Sequence, residues 1–177
     1  MDGIDEIFQK QVIALRRAIF ATKSVKDDNF PCQIEERLFL GSLGAAHNKS
    51  ALKDLNITHI LTVGNFMEPA DPNDFACKTI DVPDREDFDI RKYFGECFDF
   101  IDDAKKTGGS VLVHCFMGRS RSVTIIVAYL MKPPHSMSLS KALEYVQSKR
   151  PVAAPNSGFM LQLQDYEKIL RGTLAFM

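Results

Sequence analysis

Cys115 lies in the segment Val113-His114-Cys115-Phe116-Met117-Gly118-Arg119-Ser120-Arg121-Ser122-Val123, between a short β-branched run and an apolar stretch. A strand that ends in a loop opening a helix gathers backbone amides at a helix N-terminus. Such a terminus carries partial positive charge and unpaired N–H donors, which suit a phosphate-sized dianion. The same donors favour the thiolate form of a thiol placed among them. Gly118 admits backbone angles closed to other residues, so the loop can curl around an anion. Arg121, six positions after Cys115, offers a planar guanidinium that can bond two phosphoryl oxygens at once. Ser122 can hydrogen-bond the sulfur and stabilise it as a leaving group. Together these parts describe a cysteine that attacks phosphorus, forms a thiophosphoryl intermediate and is freed by water. Phe116, Met117, Gly118, Arg119, Ser120 and Arg121 form the expected substrate-binding loop, with Phe116 and Met117 shaping its rim.

Expelling an oxygen from phosphorus needs a proton donor within reach. The acidic segment Asp81-Val82-Pro83-Asp84-Arg85-Glu86-Asp87-Phe88-Asp89 is the evident source. Asp81 falls inside a strand pattern, whereas Asp84 follows Pro83 at the strand's exit, where a side chain can reach a pocket. Asp84 is the expected general acid, and in the second step the base for water, with Asp81 in reserve. The competing reading is a solvated acidic loop that serves only as a charge cluster for the next helix. His114, at a buried strand end, is expected to order the loop rather than act as a base. Asn156, after Pro155, is a candidate N-cap of the last helix. Cys32, Cys77 and Cys97 read as small core or surface residues, and trapping of an oxidised Cys115 by one of them stays open.

The elements that must position these groups are legible as periodicities. Ile4, Phe8, Val12, Leu15 and Ile19 recur at three and four, predicting an amphipathic helix from about Ile4 to Thr22, followed by a polar linker from Lys23 to Pro31. Leu38-Phe39-Leu40-Gly41 reads as a short strand, Ala45 to Leu55 as a helix, and Thr58 to Val63 as a β-branched strand. A Pro/Asp/Asn loop from Glu68 to Asp74 leads to a strand over Lys78 to Val82. Helix is expected from Ile90 to Ala104, stopped at Thr107-Gly108-Gly109 by a left-handed glycine. Ser110 to His114 fits a strand buried on both faces, and Val123 to Met131 a helix apolar all round that Pro133-Pro134 breaks. Two more helices run from Ser138 to Ser148 and from Asn156 to Leu170. Strands alternating with helices point to an α/β fold: a mostly parallel central sheet of about five strands flanked by helices, with the amphipathic helix in front. The expected division is 1–30 for that helix and linker, 31–171 for the catalytic domain and 172–177 for a tail.

Bulk properties exclude more than they assign. The 177 residues carry 22 Lys+Arg against 23 Asp+Glu, a net charge of −1, which gives no global pull toward nucleic acid or anionic membrane. The longest apolar run, Val123 to Met131, is half the about 18–20 residues of a bilayer-spanning helix, so no membrane span is expected. Asp2, Asp5 and Glu6 without an apolar core argue against a secretory signal. The four cysteines contain no C-x-x-C pair and the four histidines no ligand spacing, so neither a zinc cluster nor a disulfide framework is expected. Cytoplasmic, and also nuclear, residence is the expectation.

The loop resembles the H-C-x5-R-[ST] signature of the cysteine-based protein tyrosine phosphatase superfamily, and its Ser120-Arg121-Ser122 ending resembles the dual-specificity, MAP kinase phosphatase-like branch. Leu38-Phe39-Leu40-Gly41-Ser42, Asn56-Ile57-Thr58-His59-Ile60-Leu61 and Arg150-Pro151 followed by Pro155-Asn156 carry the same likeness. It covers about Ile34 to Leu170 and looks nearest to small plant members. The resemblance implies a catalytic cysteine at Cys115, a phosphate-binding arginine at Arg121 and an aspartate acid; the family spacing to a Tyr-Phe pair, here Tyr93-Phe94, selects Asp84. For Asn156 it adds a role in bracing the site. It also implies phosphoprotein substrates bearing phosphotyrosine and phosphoserine or phosphothreonine, with MAP kinases as targets, although the chain leaves no room for a separate kinase-docking domain. No metal or organic cofactor is required.

Two rival readings accompany this one. Arg119 adds charge at the rim, as in phosphoinositide phosphatases, but Phe116 stands where such enzymes often carry Lys. A regulatory binding module is the other rival, for calmodulin or for phosphoproteins: Lys10, Arg16, Arg17, Lys23 and Lys26 flank Val12, Ile19 and Val25 at 1-8-14 spacing, a pattern that fits a calmodulin groove. The loss of Cys, Arg or Asp that marks a phosphoprotein-binding pseudophosphatase is missing here. The plainer expectation is that this helix packs its apolar stripe on the catalytic domain.

Overall fold

The computed structural model describes residues 2–65, 67 and 71–174, with side chains for 10–15, 18, 19, 22–65, 67 and 71–172. Its centre is a five-stranded sheet: β1 (Cys32–Glu35), β2 (Leu38–Gly41), β3 (Ile57–Val63), β4 (Ala76–Ile80) and β5 (Ser110–His114), in the order β1-β2-β5-β3-β4. Only β1 runs antiparallel to its neighbour; the β2–β5, β5–β3 and β3–β4 pairs are parallel. β5 lies centrally and is buried along its whole length. That placement explains its continuous apolar character, since both faces are covered.

Alternation along the strands sorts the core into two layers. Leu38, Leu40, Leu61, Val63, Val111 and Val113 face α4 (Phe94–Lys106), α5 (Arg121–Met131), α6 (Leu139–Lys149) and α7 (Ser157–Leu174). Phe39, Ile60 and Leu112 face the other way, against Ala46 of α2 (Leu43–His47) and Leu52 of α3 (Lys49–Asp54). Every residue of α5 is buried, including Arg121, Ser122 and Thr124. A helix wrapped by protein on all sides needs no polar face, and here its first turn supplies the polar chemistry.

Several boundaries differ from the sequence expectation, each for a local reason. The segment expected as one helix over Ala45 to Leu55 is two, because Asn48 leaves helical geometry and its side chain accepts from the Ala51 N–H. The strand expected over Lys78 to Val82 is Ala76–Ile80, paired with β3 from Ala76 to Ile80. β1 had no periodic signal, being only four residues long. α4 opens with a 3-10 turn at Arg91–Tyr93 and ends where Gly108 takes φ 79°. The last helix reaches Leu174, into the stretch expected as a tail, and residues 175–177 lie outside the described residues. Part of the Glu68 to Asp74 loop is likewise outside them.

The largest difference is at the N-terminus. α1 spans Asp2–Asp27 and absorbs most of the expected linker. Where its side chains are described, its apolar stripe does not pack as expected: Val12 is half-buried, and Leu15 and Ile19 are 62% and 61% exposed. The side chains of Ile4 and Phe8 lie outside the described residues. Among the described side chains of α1 the one that is buried is Val25, in the last turn, at 6% exposure, so Val25 does not share the free face with Ile19. Among the described residues no helix is long and apolar enough to cross a membrane.

The core arrangement makes a direct stability prediction. Leu112, fully buried at the centre of β5, should cost about 2–5 kcal/mol when changed to Ala, read as a lower urea midpoint with little change in slope.

Candidate active site

β5 delivers Cys115 and α5 begins at Arg121, so residues 115–120 form the loop between a buried strand and a buried helix. Each carbonyl of this loop accepts from a donor elsewhere in the protein or in the following helix. Cys115 O accepts from His114 Nδ1 at 3.4 Å, and Phe116 O from Leu43 N at 3.1 Å. Met117 O and Gly118 O both accept from Arg150, through Nη2 at 3.0 Å and Nε at 2.7 Å. Arg119 O accepts from Ala154 N at 2.8 Å, and Ser120 O from Thr124 N at 2.9 Å and Thr124 Oγ1 at 2.8 Å. In a trans peptide the N–H points opposite to the preceding C=O. With the carbonyls drawn outward, the amides of 116–121 turn inward, to the side where Cys115 sits.

Gly118 is required at its place for two reasons. Its φ is 61°, and a Cβ there would meet Gly41 O at 2.5 Å and Arg150 Nη2 at 2.7 Å. The loop lines a cavity of about 320 Å³ together with Asp84, Glu86, Ala154 and Asn156. Cys115 is 2% exposed at its floor, and its Sγ lies 3.1 Å from Ser122 Oγ. The Arg121 guanidinium is held by Nη1, which donates to Val82 O at 3.2 Å and Asn65 Oδ1 at 3.4 Å. Its buried Nε has no protein acceptor among the described residues, a donor left over for an oxyanion in the cavity.

Of the two candidate acids, Asp84 lines the cavity and Asp81 does not. Asp84 Oδ1 accepts from Ser120 Oγ at 2.7 Å and from Asn156 Nδ2 at 2.8 Å. Ser120 Oγ in turn accepts from Asn156 N at 3.0 Å, and Asn156 Oδ1 caps α7 by accepting from Phe159 N at 2.8 Å. Thus Asn156 is both helix cap and tether for the carboxylate. The acidic segment is further pinned to α7, where Gln162 accepts from Ile90 N at 2.9 Å and donates to Phe88 O at 2.8 Å. At Gly158 a Cβ would fall 1.9 Å from Glu86 O, so only glycine allows the approach.

Half-buried Met117 and exposed Arg119 line the cavity, whereas Phe116, expected at its rim, instead lines a separate pocket with Thr22, Val25, Leu43 and His47, because its segment turns toward the end of α1. His114 is fully buried, with Nε2 2.8 Å from Thr62 Oγ1. A carbonyl only accepts, so Nδ1 carries the proton toward Cys115 O and Nε2 accepts from the Thr62 hydroxyl. Burial, chiefly, lowers the His114 pKa from 6.5 to about 4, with the Cys115 carbonyl bond opposing the shift and the charge of Arg121 adding a smaller push down. The ring is therefore neutral near neutrality and braces the loop. Cys97 is buried and its thiol is pushed up to about 12 by desolvation, while burial also raises Cys32 and Cys77. Sequence reasoning did not foresee the parts played by Thr62, Asn65, Leu43 and Arg150, since each reaches the loop from a distant segment. Arg150-Pro151 was visible only as a motif fragment.

Residues 38–169 match the family described as dual specificity phosphatase, catalytic domain. The chain belongs to this family. It is a cysteine-dependent protein phosphatase. Dual specificity protein phosphatase 1 of Arabidopsis thaliana is 55% identical over 174 residues, covering 97% of this chain and 87% of the relative. MAP kinase phosphatase with leucine-rich repeats protein 3 of Dictyostelium discoideum is 43% identical over 140 residues, 78% of this chain and 16% of that protein. The crystal structure of human DUSP28 superposes with a TM-score of 0.75 at 34% identity, covering 80% of this chain and 95% of that one. The dual specificity phosphatase fold thus accounts for the sheet, the loop and the covering helices together.

The neutral His114 gives this phosphatase a pH signature. Between pH 6.5 and about 4 the unfolded chain binds a proton that the native ring refuses, so stability is intact above 6.5 and falls as pH drops to about 4. The expected loss is about 3 kcal/mol. His114→Gln should lack it, so the gap in unfolding free energy between wild type and variant should narrow by that amount from pH 7 to pH 4.

Proposed function

We propose that the chain hydrolyses phosphotyrosine and phosphoserine or phosphothreonine on proteins, MAP kinases among them, through a cysteinyl-phosphate intermediate. The observation that carries the chemistry is that Cys115, Arg121 and Asp84 line one cavity of about 320 Å³, with the buried Ser122 Oγ 3.1 Å behind Cys115 Sγ. In the first step the Cys115 thiolate forms an S–P bond as the P–O bond to the substrate breaks. Asp84, carrying a proton, gives it to the departing oxygen. The inward amides and Arg121 hold the phosphoryl oxygens as charge shifts among them. In the second step Asp84 takes a proton from water, whose oxygen attacks phosphorus, and the S–P bond breaks to return a thiolate bonded by Ser122. Inorganic phosphate leaves and the enzyme is unchanged.

The MAP kinase part of the proposal is supported by the name of the Dictyostelium relative. Because the thiolate must stay reduced, cytoplasmic or nuclear residence suits the chemistry.

Three substrates assayed in parallel under reducing conditions test the proposal: a doubly phosphorylated Thr-x-Tyr kinase-loop peptide, a phosphotyrosine peptide and a soluble phosphoinositide. Release from both peptide positions is expected, none with Cys115→Ser, and kcat reduced about 10²–10⁴-fold by Asp84→Asn. Release from the phosphoinositide alone moves the assignment to lipids.

A second reading concerns α1. Its exposed Leu15 and Ile19 on one face, beside exposed Lys23 and Lys26, offer an amphipathic helix to calmodulin. Ca²⁺-dependent co-migration of the full chain with calmodulin, lost in Ile19→Glu, is the expected result; no co-migration ends this reading.

A further inference from the structure

We propose that Asp28, at the end of α1, is a positioning residue for phosphate binding, acting through Arg150 on the catalytic loop. Arg150 is the donor for two consecutive loop carbonyls, Met117 O and Gly118 O, and is 7% exposed. Asp28 faces it with both carboxylate oxygens, Oδ2 accepting from Nη2 at 2.5 Å and Oδ1 from Nη1 at 3.3 Å. A paired fork of this kind fixes the plane of the guanidinium, and with it the direction of the Nε and Nη2 donors. Without the carboxylate, a nearly buried cation would remain uncompensated and gain by turning outward to water.

The end of α1 is itself held in place, so Asp28 is not a casual surface partner. Ser42 Oγ donates to Asp28 O at 2.6 Å, and Asn48 Nδ2 donates to Asn29 O at 2.9 Å. Val25 is buried, and at Gly44 a Cβ would stand 2.0 Å from Val25 O and 2.8 Å from Asp28 O. The next residue on from Ser42, Leu43, supplies the donor to Phe116 O. Three adjoining loop carbonyls, at 116, 117 and 118, are thus oriented by groups that contact the last turn of α1. Asp28 lies outside residues 38–169, the stretch matched to the family, whereas its partner Arg150 lies within it.

Two effects of removing Asp28 have opposite signs, which makes the proposal decidable. By charge alone, loss of a carboxylate near the loop would tighten anion binding. Loss of the strut would loosen the loop and weaken it, and misplacement of an ångström can cost on the order of 10²-fold.

The test uses the full chain with vanadate as the oxyanion probe, an aryl phosphate as substrate, and thermal unfolding as a check on folding. Asp28→Ala and Asp28→Asn are expected to raise the vanadate dissociation constant and the KM about tenfold, with a smaller change in kcat, and Asp28→Glu to restore most of it. Gly44→Ala retains the carboxylate but displaces the helix end, and should reproduce the loss. Unchanged or tighter vanadate binding in either Asp28 variant overturns the proposal, as does a Glu variant no better than Ala. The inference rests on phosphate binding at this loop; failure of the wild-type chain to bind vanadate would overturn that reading instead.

Discussion

A loop that turns its amides toward a dianion must turn its carbonyls away from it, and buried carbonyls need donors. This requirement organises the structure around residues 115–120. The donors come from β5 itself, from α2, from α5, from the segment after α6 and from Arg150 at the end of α6. Elements far apart in the chain are therefore packed where their N–H groups can reach outward-facing oxygens. Gly118 and Gly41 meet closely because one loop carries all this bonding and leaves no room for a Cβ.

The same economy governs the acid. Asp84 is exposed and its segment has no regular structure, yet its carboxylate is tied to Ser120 of the loop and to Asn156 before α7. Ser120 and Asn156 are bonded to each other, so loop, acid and helix start form one hydrogen-bonded unit. Behind it, α7 holds the acidic segment through Gln162 and the close approach at Gly158. The acid lies in the crossover from β4 to β5 and the nucleophile follows β5, the last strand, and this unit keeps them in register across the cavity.

α1 divides into two parts with different physics. In its final turn Val25 is buried and the residues just beyond, Asp28 and Asn29, are bonded, whereas Ile13, Leu15 and Ile19 upstream remain in solvent. The helix thus places the exposed Leu15 and Ile19 in mechanical continuity with Arg150, and through it with the catalytic loop.

Much of this molecule is legible in one dimension. The buried strand Ser110–His114, the apolar run Val123–Met131 within α5, the glycine stop at Gly108 and the grouping of Cys115, Gly118, Arg121 and Ser122 follow from local pattern, because residues on one short loop cannot be far apart. Asp84 was preferred to Asp81 because the strand was expected to run to Val82; it ends at Ile80, so both aspartates follow its exit, and the bonds of Asp84 to Ser120 and Asn156 are what distinguish it. Pattern failed where pairing or capping decides: β1 exists through its ladder with β2, and α2 and α3 are separated by one asparagine side chain. The neutrality of His114, the two carbonyl bonds from Arg150 and the Asp28 fork needed the tertiary structure. Burial and long-range hydrogen bonds depend on which distant segments share a face of the sheet. Local sequence determined the reacting groups and their spacing; packing of the sheet and helices decided which side chains hold them still.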